Sequence, residues 1–187
     1  VRDAVGPSFG SALDFHGRTS PDMAKQLASR LAPLTPMFIE EPCLPENVDA
    51  MVEIARSTVV PIAAGERRFT KWGFRELIGR RAVSIIQPDL CHAGGILETR
   101  KIAAMAEAEY MSVAPHTPLG PISLAACLPI DACTTHFLIP EYQARAADSD
   151  LGAVLSRLPP IIIAGHIHTH LGPAHAAVCQ QSSTLAR

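Results

Sequence analysis

Short apolar runs alternate along the chain with longer stretches in which hydrophobic residues return every three or four positions. The runs occupy residues 11–16, 37–40, 59–64, 83–89, 111–116 and 137–141. Several are near-continuous in Val, Ile and Ala, which predicts parallel strands buried on both faces. Between the first two, Ser20-Pro21-Asp22 offers an N-cap, a first-turn proline and a first-turn acid, while Met23, Leu27 and Leu31 repeat at four-residue spacing. That pattern predicts a helix with a core-facing stripe. Further helices are expected around Val48, Met51, Val52 and Ala55, around Trp72, Phe74, Leu77 and Ile78, over 96–109, where Ala, Glu, Lys and Met are strong helix formers, and over 123–132.

Each run closes on a group able to carry charge: Asp14, Glu40, Glu66, Asp89, His116 and Glu141, at intervals of 23 to 27 residues. One strand plus one helix with short loops takes roughly 25 to 30 residues, and in (β/α)8 barrels such strand ends face one shared mouth. The fold class expected is therefore α/β, a partial (β/α)8 barrel with about six βα units over residues 1–142. Complete barrels take about 250 residues. A chain of 187 that opens at Val1 reads as a piece of a longer protein. After Tyr142 the rhythm stops, and 143–187 is an unassigned tail read as irregular. Its alternating His166, His168 and His170 would share one face of a strand and could bind a transition metal, but the composition favours the irregular reading.

Composition narrows the partners. A net charge of -2 supplies no basic field for nucleic acid or an anionic membrane. Five cysteines, odd in number and without a C-x-x-C pair, suggest neither a disulfide framework nor a zinc knuckle, and fit a reducing cytoplasm. No signal peptide or spanning segment is recognisable.

Three carboxylates at successive strand ends, Asp14, Glu40 and Glu66, make an all-oxygen set suited to Mg²⁺, a hard cation. Any one of them could instead cap a helix or pair with arginine, and Arg67 or Arg68 could serve Glu66. Three in register favour the metal. His116 ends the strand after the one that ends in Asp89, so the acid can hold the imidazole in one tautomer, giving a general base with its orienter. His16, two residues from Asp14 and on the same strand face, supplies a second proton-transfer group. Removing a proton while protonating a leaving group is what an elimination needs.

The strings Asp14-Phe15-His16-Gly17, Phe38-Ile39-Glu40-Glu41-Pro42, Gly65-Glu66-Arg67, Ile86-Gln87-Pro88-Asp89, His92-Ala93-Gly94-Gly95-Ile96 and 114–121 (Ala-Pro-His-Thr-Pro-Leu-Gly-Pro) resemble the mandelate racemase group of the enolase superfamily, and within it the acid-sugar dehydratases. The resemblance covers residues 1–142. It implies Mg²⁺ on Asp14, Glu40 and Glu66, His116 with Asp89 as base, His16 as acid, and Glu141 touching the substrate carboxylate or enediolate. Enolase-superfamily sites pair a Lys or His base with Mg²⁺ as a general rule. It also implies a small sugar-acid substrate, no redox cofactor, and a homo-oligomeric full-length protein. Members carry an N-terminal capping domain and two barrel strands that do not precede Val1 here, so the chain alone is expected to be a poor, association-prone enzyme with a wet site. Two other readings stay open: a racemase or epimerase using the same metal and His116, and a catalytically silent fragment.

Overall fold

In the computed structural model the described residues are 1–141, 161–163 and 166–168. Five strands, β1 (Leu13–Asp14), β2 (Ile39–Glu40), β3 (Ile62–Ala64), β4 (Ile85–Ile86) and β5 (Ser112–Val113), form one sheet in chain order. Every pairing is parallel. A sixth position follows as two parallel bridges, Val113 to Phe137 and His116 to Glu141. Consecutive strands thus lie side by side, with helices α2 (Pro21–Leu31), α3 (Val48–Arg56), α4 (Thr70–Gly79) and α6 (Ile96–Ala108) as crossovers, and α7 (Pro121–Cys133) leading to the sixth position. Short helices α1 (Arg2–Val5) and α5 (Leu90–Ala93), and a 3-10 turn at Ala32–Leu34, complete the described part apart from the hairpin below.

Side-chain alternation sorts the strands into two layers. Ile39, Ile62, Ala64, Ile86 and Val113 pack outward with Ala24, Ala28, Met51, Ile54, Phe74, Leu77 and Ile102 of the helices. Phe38, Ala63, Ile85 and Ala114 form a separate inner cluster. Because strand residues two apart share a face, Glu40, Gln87 and His116 continue the inner rows begun by Phe38, Ile85 and Ala114. The functional side chains are the polar top of a layered barrel interior.

Helix starts follow local chemistry. Ser20 Oγ accepts from Met23 N at 3.3 Å ahead of Pro21, and Asn47 Oδ1 accepts from Ala50 N at 3.1 Å. Two expected apolar faces are corrected. On α2 the buried residues are Ala24 and Ala28, and Met23 is exposed. The Met23, Leu27, Leu31 stripe lies one position, about 100°, from the contact line, where alanines let α2 approach closely. On α4, Phe74, Leu77 and Ile78 are buried while Trp72 is 68% exposed, with Lys71 Nζ 4.7 Å from its ring centroid. Position 72 is two residues from Phe74, about 200° round the helix, so both cannot face inward.

Of the tail read as irregular, six residues are described. Ile161–Ile163 (β6) and His166–His168 (β7) pair antiparallel, with His166 opposite Ile163 and His168 opposite Ile161. His170 and the rest of 143–187 lie outside the described residues. Among the described residues Cys43, Cys91, Cys127 and Cys133 are free thiols, and no helix is long and apolar enough to cross a membrane.

Gly65, just before Glu66, has φ +145°, and a Cβ there would lie 2.8 Å from Phe74 Cε1 and 2.9 Å from the Gln87 backbone nitrogen. Neither neighbour can yield easily. Gly65→Ala is predicted to lower the unfolding free energy by about 2 kcal/mol, measured by urea unfolding. Gly79→Ala on α4, with open space around the added carbon, should cause no loss. Equal stability of the two variants would contradict this account of the β3–β4 approach.

Candidate active site

The centre of the mouth is Glu66, a buried carboxylate between two histidines. Its Oε2 lies 3.1 Å from His116 Nε2, and its Oε1 lies 3.7 Å from His16 Nδ1. The two rings therefore meet different oxygens of it, His116 from the end of β5 and His16 from the end of β1.

His116 is anchored by its other nitrogen. Nδ1 sits 2.7 Å from Asp89 Oδ2, and Asp89 Oδ1 accepts from Cys91 N at 2.7 Å as the N-cap of α5. The acid holds the ring with one oxygen and the start of a helix with the other. Burial works to raise Asp89, but the bonds from His116 and Cys91 outweigh it and hold the carboxyl below its ordinary value. Burial likewise opposes charge on His116, yet hydrogen bonding to Asp89 and Glu66 prevails and pushes its pKa up to about 10. Glu66 is correspondingly lowered, chiefly through its bond with His116. With Asp89 on Nδ1, the Nε2 atom is the ring position that faces the mouth.

The remaining acids surround this pair. Asp14 is half exposed and turns back on its own loop, Oδ1 accepting from His16 N at 2.6 Å and Oδ2 lying 3.2 Å from His16 Nδ1. Glu40 is buried, and burial, with the charges of Glu141, Asp14 and Glu66 nearby, raises its pKa to about 7 against the pull of the Gln87 amide. Glu141 is also raised by burial; its Oε2 is 3.7 Å from His116 Nε2 and has no hydrogen-bond partner. Thr117 Oγ1 donates to the Glu141 carbonyl.

Asp14, Glu40 and Glu66 thus share one mouth, but their oxygens do not converge as a trio. Among the described residues, the sets of ligand atoms lying within 4.8 Å of one another are His16, Glu41 and Glu66, and Glu66, His116 and Glu141. Asp14 is drawn onto His16, and Glu66 onto His116. The donors nonetheless suit a hard divalent cation: a Glu40 raised by burial and then by neighbouring acids, and an orphaned Glu141 oxygen, are the environment a cation neutralises.

Residues 1–175 match the family described as enolase C-terminal domain-like. The chain belongs to that family. It is 53% identical over 155 residues to the D-galactonate dehydratase of Ralstonia pickettii (strain 12J), covering 83% of this chain and 40% of that relative. It superposes on a mandelate racemase/muconate lactonizing enzyme-like protein from Rubrobacter xylanophilus with a TM-score of 0.83 at 37% identity, over 90% of this chain and 43% of the other. An enolase from Agrobacterium radiobacter, solved with sodium and L-malate bound, gives 0.73 at 38% identity over 76% of this chain and 36% of the other.

Three residues next to the site had no role in the sequence reading. Gln87 is buried beside Glu40. The His92 ring nitrogen Nδ1 lies 2.9 Å from the Glu66 carbonyl, with ring centroids of His92 and His116 6.4 Å apart. Glu41, directly after Glu40, takes the hydrogen bonds of the Arg67 guanidinium, so the arginine considered for Glu66 keeps only a longer ion pair to it, at 3.8 Å, and Arg68 bonds the Pro45 carbonyl. Gln87 could have been found from strand alternation with Ile85. Glu41 and Arg67 could have been found as matching one-residue steps beyond Glu40 and Glu66.

Proposed function

We propose that the protein of which this chain is part is a Mg²⁺-dependent acid-sugar dehydratase, a hydro-lyase converting D-galactonate to 2-dehydro-3-deoxy-D-galactonate. The observation that carries this reading is the placing of two histidines on opposite oxygens of Glu66, one of them locked by Asp89. A 2,3-elimination requires one group to take the C2 proton and another to protonate the departing C3 hydroxyl. With a cation held by Glu66, His116 would be relieved of one of the two carboxylates that raise it, so that Nε2 is free to take the C2 proton while Asp89 stabilises the resulting imidazolium through Nδ1. His16 delivers its proton to the C3 oxygen, which leaves as water. The enol left behind tautomerises to the 2-keto-3-deoxy acid, and Glu141, beside His116 Nε2, contacts the substrate carboxylate end.

Asp14, Glu40 and Glu66 would hold the metal, with Glu141 beside them. When bound, the ion supplies charge stabilisation to the substrate carboxylate as the α-carbon is deprotonated. The similarity to a D-galactonate dehydratase, and to an enolase carrying a cation and a hydroxy-dicarboxylate, supports the substrate class.

The test is incubation of D-galactonate with Mg²⁺ and protein in D₂O, followed by NMR. Formation of the keto product with deuterium uptake, abolished by EDTA, is the expected result. Deuterium exchange at C2 without loss of water would replace this reading with a racemase. Neither keto product nor C2 exchange in the full-length protein would remove the base assigned to His116.

A further inference from the structure

We propose that the ion pair between the buried Glu41 and the part-buried Arg67 is a positioning strut that sets the relative places of the three candidate metal ligands, an inference that rests on the metal reading above. Glu41 follows Glu40 at the end of β2, and Arg67 follows Glu66 just after β3. Glu41 is 1% exposed. The guanidinium grips both of its oxygens, Nε at 3.1 Å from Oε1 and Nη2 on Oε2. Such a two-point fork fixes orientation as well as distance.

The pair is tied into three successive strand ends. The Glu41 backbone nitrogen donates to Ala63 O of β3 at 2.9 Å, and Gly17 N, on the loop after β1, donates to Glu41 O at 2.8 Å. Gly17 has φ +66°, and a Cβ there would fall 2.5 Å from Arg67 Nη2. A side chain there would push the guanidinium off its place over the β1 loop. Asp14 lies three residues before that glycine, Glu40 one before Glu41, and Glu66 one before Arg67. One ion pair thus spans all three carboxylate-bearing ends. Arg67 Nε also lies 3.8 Å from Glu66 Oε1, so its charge faces the third acid without taking it out of the mouth.

Stability alone does not account for this arrangement. Such a pair gains little over well-packed neutral side chains, whereas deleting Arg67 strands the buried Glu41 charge. A double substitution can therefore remove the strut without stranding either charge.

Mg²⁺ is titrated calorimetrically into the full chain, into Glu41→Gln/Arg67→Met and into Arg67→Lys, with a thermal melt of each. The double variant is expected to melt cooperatively near the wild-type temperature and to bind Mg²⁺ roughly 10- to 100-fold more weakly, the range for residues that orient metal ligands. Arg67→Lys should fall between, because its ammonium keeps the charge and loses the fork. Unchanged Mg²⁺ affinity in a folded double variant overturns the strut while leaving the metal reading intact. If the double variant does not fold, unchanged affinity in Arg67→Lys overturns it equally. A wild-type chain that takes up no Mg²⁺ overturns the metal reading and the strut together.

Discussion

His116→Asn is expected to slow exchange of the substrate C2 proton by roughly 10²- to 10⁴-fold while leaving Mg²⁺ uptake nearly unchanged. The choice of asparagine follows from the two nitrogens of the ring. Nδ1 bonds Asp89, which is fully buried and spends its other oxygen on the start of α5. An asparagine amide occupies nearly the position of Nδ1, so Asp89 keeps a donor and the helix keeps its cap. What disappears is Nε2, the atom that faces Glu66 and the mouth. The variant therefore removes the base and spares the scaffold, which alanine would not do, since it would strand a buried carboxylate. Exchange in D₂O and Mg²⁺ calorimetry, both on the full-length protein, separate the two effects. Exchange at the wild-type rate would strip His116 of its role; loss of metal binding alongside would mean that Glu66 depends on His116 for its place.

The positions of the chemistry were legible because a barrel repeats. Strand ends recur at the length of one βα unit, and that interval alone ordered Asp14, Glu40, Glu66, Asp89, His116 and Glu141 along one rim. The adjacency of Asp89 and His116 followed from β4 and β5 being neighbours. Helix faces were harder to read. Met23 and Trp72 are large and apolar, yet Ala24, Ala28 and Phe74 hold the contact lines, because the angular position on the helix decides burial and hydrophobicity does not distinguish positions 100° apart. Side-chain partners were harder still. Arg67 follows Glu66 and keeps a long ion pair with it, but the parallel register brings its hydrogen bonds to the residue after the acid of β2. The double duty of Asp89 as orienter and helix cap was also unread, since a four-residue helix leaves no periodicity in the sequence.

A second large effect is expected at Asp131 on α7. This carboxyl is buried, its Oδ2 has no hydrogen-bond partner, and Oδ1 receives only the Cys127 thiol at 3.4 Å. Burial accordingly raises its pKa to about 7 from the ordinary 3.8, against a small opposing contribution from the thiol. The folded protein then keeps a proton that the unfolded chain releases, so below pH 3.8 the group costs nothing, and as pH rises toward 7 it progressively favours unfolding. Above about 7 both states are ionised and the penalty is constant. Asp131→Asn cannot ionise, retains the acceptor for Cys127, and should escape that slope. Relative to wild type, the variant should gain on the order of 3 kcal/mol in unfolding free energy between pH 4.5 and pH 8. Subtracting the variant from the wild type cancels the titration of groups common to both, including Glu40, which is also raised to about 7. Urea unfolding at the two pH values provides the measurement. A wild-type-minus-variant difference that does not change with pH would show that Asp131 is ionised in the fold at the cost of no stability, and that the unpartnered oxygen is satisfied by water.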